Sequence, residues 1–136
     1  MKKNILYAAF TIALAGTAGS LFLSEVLHWT PCVLCWYQRI MLYPLVIIFA
    51  AAIIKDIGNL EYIVLPMTGI GMLVALYHNL LQYHIISEKL APCSVGASCI
   101  TLYHFWFNFL TLPLLSFITF TAIAILMIIY RKNSHE

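Results

Sequence analysis

Residues 30–54 read TPCVLCWYQRIMLYPLVIIFAAAII. The uncharged part, Ile40 to Ile54, is short for a helix that must cross about 30 Å of hydrocarbon, which takes about 20 residues. To span, it has to extend backward through Arg39 towards Cys35 and Cys32. Reading it so places a guanidinium and two thiols at one end of a membrane helix.

The rest of the chain supports that reading. It has 136 residues, 63% hydrophobic and 9% charged, against about 25% charged in soluble domains. So few charges cannot cover a water-soluble globule, and the chain is read as an integral membrane protein embedded in a lipid bilayer. A net charge of +2 gives no reason to expect nucleic acid as a partner. Three further apolar runs flank the first: Asn4 to Ser24, Tyr62 to Gln82, and a stretch within Ile100 to Tyr130 starting near Leu110. They are continuous rather than alternating, which favours helices over a β-barrel. The expected fold is all-α: a four-helix transmembrane bundle forming a single domain over 1–136. Its helices are expected at about 4–27, 31–54, 62–82 and 110–130. Outer loops would cover about 28–31 and 83–109, and a cytoplasmic loop about 55–61, short enough to make an antiparallel hairpin.

Basic residues set the orientation. With both termini cytoplasmic, Lys2, Lys3, Lys55, Arg131 and Lys132 lie inside, and only Arg39 and Lys89 lie outside. Both outer loops then carry cysteines. Lys2-Lys3 and Ala13-Leu14-Ala15 resemble parts of a cleavable signal, but the apolar run continues past them, so retention is expected. Ala15, Gly16, Gly19 and Ser20 are expected to form a small-residue packing face. Pro66, Gly69 and Gly71 are candidates for a bend in the third helix. The rings of Tyr103, Phe105, Trp106, Phe107 and Phe109 suit an interfacial belt.

Thr30-Pro31 is a favourable helix start, with Thr at the N-cap and Pro at the first helical position. Cys32 then falls in the first turn, where the unsatisfied N–H groups favour thiolate. Cys35 and Arg39 follow at one-turn intervals, so the three form a stripe. An apolar electron acceptor lying between helices there meets a dithiol and a cation that hydrogen-bonds a carbonyl oxygen as negative charge develops. Other readings stand beside it. A C-x2-C pair is half of many zinc sites, but the other half would be Cys93-x5-Cys99, an unusual spacing without supporting carboxylates; no metal is expected. An inert disulfide and an arginine that only snorkels to the interface are the plainer alternatives.

The second pair lies in APCSVGASC, residues 91–99. So short a ring gains little loop-closure entropy, so it is a poor staple. It suits exchange with a thiolate from another protein. Ten extended residues reach roughly 33 Å, far enough to bring Cys93 or Cys99 to Cys32. Two dithiols on one side suggest a relay: electrons enter at the loop pair, pass to the helix pair and leave to a lipid-soluble acceptor.

The run Cys32-Val33-Leu34-Cys35-Trp36-Tyr37-Gln38-Arg39, four helices and a second outer cysteine pair resemble the disulfide bond formation protein B family, DsbB. The compact chain and the short Cys93–Cys99 spacing look more like its BdbC-type branch. The resemblance implies that Cys35 engages a quinone, ubiquinone or menaquinone, which Arg39 contacts, and that Cys32 receives electrons from the loop. It implies that Cys93 forms the mixed disulfide with a DsbA-like (BdbD-like) extracytoplasmic thioredoxin-fold oxidase, and that Cys99 resolves it. His78, with Gln82 one turn later in YHNLLQ, resembles a histidine near the quinone. The chain departs from members whose loop cysteines are separated by an amphipathic segment. The implied activity is a quinone-dependent protein thiol oxidase of the cell membrane that supports disulfide formation in exported proteins. The main rival is a small four-helix transporter or structural subunit with inert disulfides; a coupling carboxylate in mid-helix is missing from the four runs. A vitamin K epoxide reductase type is disfavoured because its active C-x2-C comes after the loop cysteines.

Overall fold

The computed structural model describes residues 1–29, 31–87 and 111–136. It contains four helices: α1 (Lys2–Glu25), α2 (Val33–Lys55), α3 (Glu61–Gln82) and α4 (Leu112–His135). All four are long and apolar enough to cross a membrane. At 1.5 Å per residue each is about 33–36 Å long. The fold is an all-α four-helix bundle, and the described residues form no strand. Cys93, Cys99, Lys89 and the aromatic cluster from Tyr103 to Phe109 lie outside the described residues.

Most helix limits lie within two residues of expectation; the start of α2 bears on the site, and the end of α4 differs most. α2 starts at Val33, and Cys32 is its N-cap, with extended backbone (φ −78°, ψ 174°). The expected cap, Thr30, lies outside the described residues, and Pro31 precedes the helix instead of opening it. α4 runs on to His135; Arg131 and Lys132 are good helix formers, and His135 Nε2 meets Glu61 Oε1 at 3.7 Å.

The helices form a ring in which α1 packs on α2 and α4, and α3 on α2 and α4, with little contact across the α2–α4 diagonal. Lipid tails are as apolar as leucine, so close packing rather than water exclusion holds such helices together. On α1 the buried row is Leu6, Ala9 and Ala13, with Gly16 next along it. A Cβ on Gly16 would stand 3.2 Å from Leu42 and 3.4 Å from Thr119. Of the expected small face, Gly16 and Ser20 meet neighbouring helices, whereas Ala15 and Gly19 face outward. In α3, Gly71 receives the Phe120 ring, where a Cβ would lie 2.6 Å from two ring carbons. Gly71 is thus a socket, and α3 continues as one helix through Pro66, Gly69 and Gly71. The main core, centred on Leu45, Phe49, Phe120 and Met127, fills the bundle below the cysteines. Large apolar side chains such as Ile47, Ile54 and Leu73 point outward, as a lipid-facing surface requires.

The turns fix the two ends. Asp56 closes α2 in the left-handed region (φ 50°) and donates its N–H to Ala52 O at 3.0 Å. With Asn59 also left-handed, residues 56–60 make the tight link to α3. α3 ends in a Schellman arrangement: His84 is left-handed, its N–H reaches Leu81 O at 3.1 Å, and Ile85 N–H reaches Leu80 O at 3.0 Å. At the end holding the 56–60 link, Glu61 is 1% exposed and its Oε1 lies 3.7 Å from His135 Nε2. The Arg131 guanidinium sits 5.7 Å over the Tyr62 ring. Lys2, Lys3, Lys55, Arg131 and Lys132 therefore gather at one end and the first cysteine pair at the other.

Candidate redox site

Cys32, Leu34 and Leu81 form a second, smaller buried cluster, with Cys35, Val74, Tyr77 and Ile86 packed against it. The N-cap conformation turns Cys32 inward, leaving it 5% exposed while its carbonyl accepts the Trp36 N–H at 3.2 Å. One turn on, Cys35 brings its Sγ to 3.3 Å from Cys32 Sγ. Both thiols are free. An S–S bond is about 2.05 Å long, so closing it needs a further approach of about 1.2 Å from the 3.3 Å seen here.

Three polar side chains surround the pair. His78, on the facing side of α3, places Nε2 3.7 Å from Cys32 Sγ. Gln38 Nε2 lies 3.2 Å from His78 Nδ1. As drawn, the amide donates to Nδ1, and the ring proton sits on Nε2, directed at the sulfur; the reversed amide accepts from Nδ1–H instead. Arg39 stays near the helix surface. Its Nη2 donates to Ser20 O at 3.1 Å, and its guanidinium lies 5.3 Å over the Trp36 ring. Tyr43 Oη approaches Ser20 Oγ at 3.5 Å. Arg39 therefore bridges α2 to α1.

Cys32 lies at the N-cap, outside the span. A hydrogen bond from Cys35 stabilises its thiolate most; burial opposes this; a hydrogen bond and the charge of His78 add to it. The balance holds Cys32 well below the usual thiol range, at about 4. The helix terminus anticipated from sequence acts in the same sense.

A cavity of about 340 Å³ opens beside the pair, within the range of small-molecule sites. Cys32, Cys35, Arg39, His78 and Gln82 all border it. Gly16, Gly19 and Ser20 of α1 form one wall, and Ser116 and Thr119 of α4 another. Gly19 is exposed on the outside of α1, so the cavity reaches the face that meets lipid. The structure thus brings together four of the residues singled out from sequence, Cys32, Cys35, Arg39 and His78, while Cys93 and Cys99 lie outside the described residues. Sequence reading missed Gln38, although a polar residue three positions after Cys35 in an apolar run is a usable signal. It also missed Ser20 as the acceptor for Arg39. Cys32, Cys35 and His78 could hold a metal ion, since their ligand atoms lie within 4.8 Å of one another.

The family model for disulfide bond formation protein DsbB matches residues 2–130. Disulfide bond formation protein C of Bacillus subtilis (strain 168) is 39% identical, and the match covers 100% of both chains. A probable disulfide formation protein of Oceanobacillus iheyensis is 40% identical over 98% of this chain and 94% of its own. An SPbeta prophage-derived disulfide bond formation protein B, also from B. subtilis, is 39% identical over 89% of this chain and 81% of its own. No solved structure matches the chain.

Proposed function

Because this chain belongs to the DsbB family of disulfide bond formation proteins, and so is a multi-pass membrane thiol–disulfide oxidoreductase, we propose that it reoxidises a DsbA-like, thioredoxin-fold oxidase outside the membrane and passes the electrons to quinone. The observation that carries the proposal is one cavity bordered by both thiols and by Arg39, with the exposed Gly19 of α1 on its wall. Its largely apolar walls, with Arg39 the one Lys or Arg among the described lining residues, suit a flat apolar ring with a carbonyl oxygen.

Bound there, a quinone accepts two electrons and two protons. The chain supplies the rest. Cys35 faces the cavity, and Arg39, on the same wall, holds developing negative charge at the acceptor oxygen. His78 meets Cys32 Sγ at 3.7 Å and steadies the thiolate when a disulfide there is opened. Closing the disulfide between the Cys32 thiolate and the Cys35 thiol releases two electrons and one proton; the partner's dithiol releases the rest of the protons when it is oxidised. The loop pair restores the dithiol by exchange: a partner thiolate attacks Cys93 and displaces Cys99, the partner's second thiolate releases Cys93 as the partner disulfide closes, and the freed loop dithiol reduces the Cys32–Cys35 disulfide. The net change is partner dithiol plus quinone to partner disulfide plus quinol. The basic end of the bundle supports a cytoplasmic placement of both termini, with the cysteines on the far side, in the cell membrane.

The test uses the purified full chain, a reduced thioredoxin-fold oxidase, and ubiquinone or menaquinone analogues followed by absorbance. Quinone is expected to be reduced in step with partner oxidation, and Cys35→Ser to abolish it. Undiminished turnover in Cys35→Ser removes the proposal.

A further inference from the structure

Sequence reading set zinc aside because the loop cysteines make a poor second half-site. The folded chain offers a different third ligand. We propose that the reduced site binds one Zn²⁺ ion through Cys32 Sγ, Cys35 Sγ and His78 Nε2, and that the bound ion arrests electron delivery. The regulatory half of this proposal rests on the quinone-linked reading above; the binding half does not.

The sulfurs are 3.3 Å apart, Cys32 Sγ is 3.7 Å from Nε2, and all three ligand atoms lie within 4.8 Å of one another. Tetrahedral zinc, with Zn–S about 2.3 Å and Zn–N about 2.0–2.1 Å, sets its sulfurs about 3.8 Å apart and each sulfur about 3.5 Å from the nitrogen. The Cys32–His78 separation already fits. The sulfurs must part by about 0.5 Å, and Cys35 must close on the ring by at most about 1.3 Å, within the reach of a χ1 adjustment. Thiolate and imidazole ligands select zinc over magnesium or calcium, which prefer oxygen. Three protein ligands leave the fourth position toward the cavity, where water completes the tetrahedron.

Gln38 makes the set chemically consistent. Metal binding needs the lone pair on Nε2, so the ring proton moves to Nδ1. A half-turn of the Gln38 amide, 3.2 Å away, presents its oxygen to that N–H, the outer-shell partner that ligating histidines commonly have. The balance is Zn²⁺ plus the Cys32 thiolate and the Cys35 thiol giving a neutral zinc dithiolate and one released proton, with no change in oxidation state. A neutral product suits the apolar surroundings. A disulfide offers no thiolate, so zinc binds only the reduced chain and holds it there by linkage.

The experiment titrates Zn²⁺ into the full chain in lipid nanodiscs against a chromophoric chelator, in reduced and in oxidised protein. One ion per reduced chain and none per oxidised chain is expected. Cys93→Ser/Cys99→Ser keeps the ion, Cys35→Ser loses it, and His78→Ala weakens it at least tenfold. No binding by reduced protein, binding that survives Cys35→Ser, or binding lost with the loop cysteines alone overturns the assignment. In the same preparation, quinone reduction is followed without zinc, then with zinc, then after chelation. Loss of turnover proportional to occupancy and recovery on chelation are expected. A zinc-loaded chain that turns over at full rate overturns the arrest. If quinone is not reduced even without zinc, the quinone reading fails while the titration still decides the metal site.

Discussion

The protonation of Cys32 can be read from the shape of a pH profile. Its thiol is held at about 4 instead of the ordinary 9.0. The neutral thiol is the acid, so a lowered value keeps the anion as pH falls, and the charge is lost only below about 4. At pH 6 an ordinary thiol is about one part in a thousand thiolate, whereas Cys32 is almost wholly ionised, a gain of about a thousandfold. A weakly basic thiolate is a poorer nucleophile. With a Brønsted slope of about 0.4–0.5, five units cost about a hundred- to three-hundredfold. Cys32 should therefore react about three- to tenfold faster than an ordinary thiol at pH 6, and about ten- to thirtyfold slower at pH 8. Burial scales both rates down together and leaves the shape intact. The assay is iodoacetamide labelling of reduced Cys93→Ser/Cys99→Ser protein, with Cys32 alkylation quantified by mass spectrometry from pH 5 to 8. A flat profile is expected. A rate rising about tenfold per pH unit across that range refutes the reasoning, because it returns Cys32 to an ordinary thiol.

Gln38→Leu removes the contact at 3.2 Å to His78 Nδ1 and should shift the same labelling profile to higher pH; an unchanged profile means the ring is held by other contacts. Arg39→Met removes a charge-assisted bond of about 1.5–3 kcal/mol, so KM for quinone should rise about tenfold to a hundredfold in steady-state assays, and an unaltered KM reduces Arg39 to an anchor between α2 and α1. Gly71→Ala drives a methyl into the Phe120 ring, and overpacking of that kind costs about 1–3 kcal/mol; detergent thermal melts should show a lower midpoint, restored in the Gly71→Ala/Phe120→Leu double variant.

The fold was legible because four apolar runs long enough to span admit one secondary structure in lipid. The site was legible where spacing alone decides it. Cys32, Cys35 and Arg39 follow one another by a turn, and His78 falls at matching depth because α3 is expected to run antiparallel to α2. The start of α2 was misjudged. Thr30-Pro31 carries the standard start signal, yet Cys32 itself takes the extended backbone that a cap requires. Contacts between helices were not legible. The bond from Arg39 to Ser20 O, the seat of Phe120 on Gly71 and the Gln38–His78 pair depend on how helices cross and rotate, and the spacing of residues along one helix does not encode that. The small-residue stripe of α1 held only in part for the same reason: Gly16 and Ser20 meet α2, Ala15 and Gly19 face outward, and the composition of Ala15 to Ser20 could not reveal which way the helix is turned.

The chemistry rests on a patch of packing separate from the main core: Cys32, Leu34 and Leu81 share no buried cluster with Phe49 or Phe120. Apart from Leu42 and Phe120, which border the cavity from the main core, side chains around the thiols can therefore be exchanged without loosening the stem that keeps the four spans upright. Descendants of such a chain can adapt to a new oxidant or a new client by retouching the cap, while the trunk passes unchanged from one to the next.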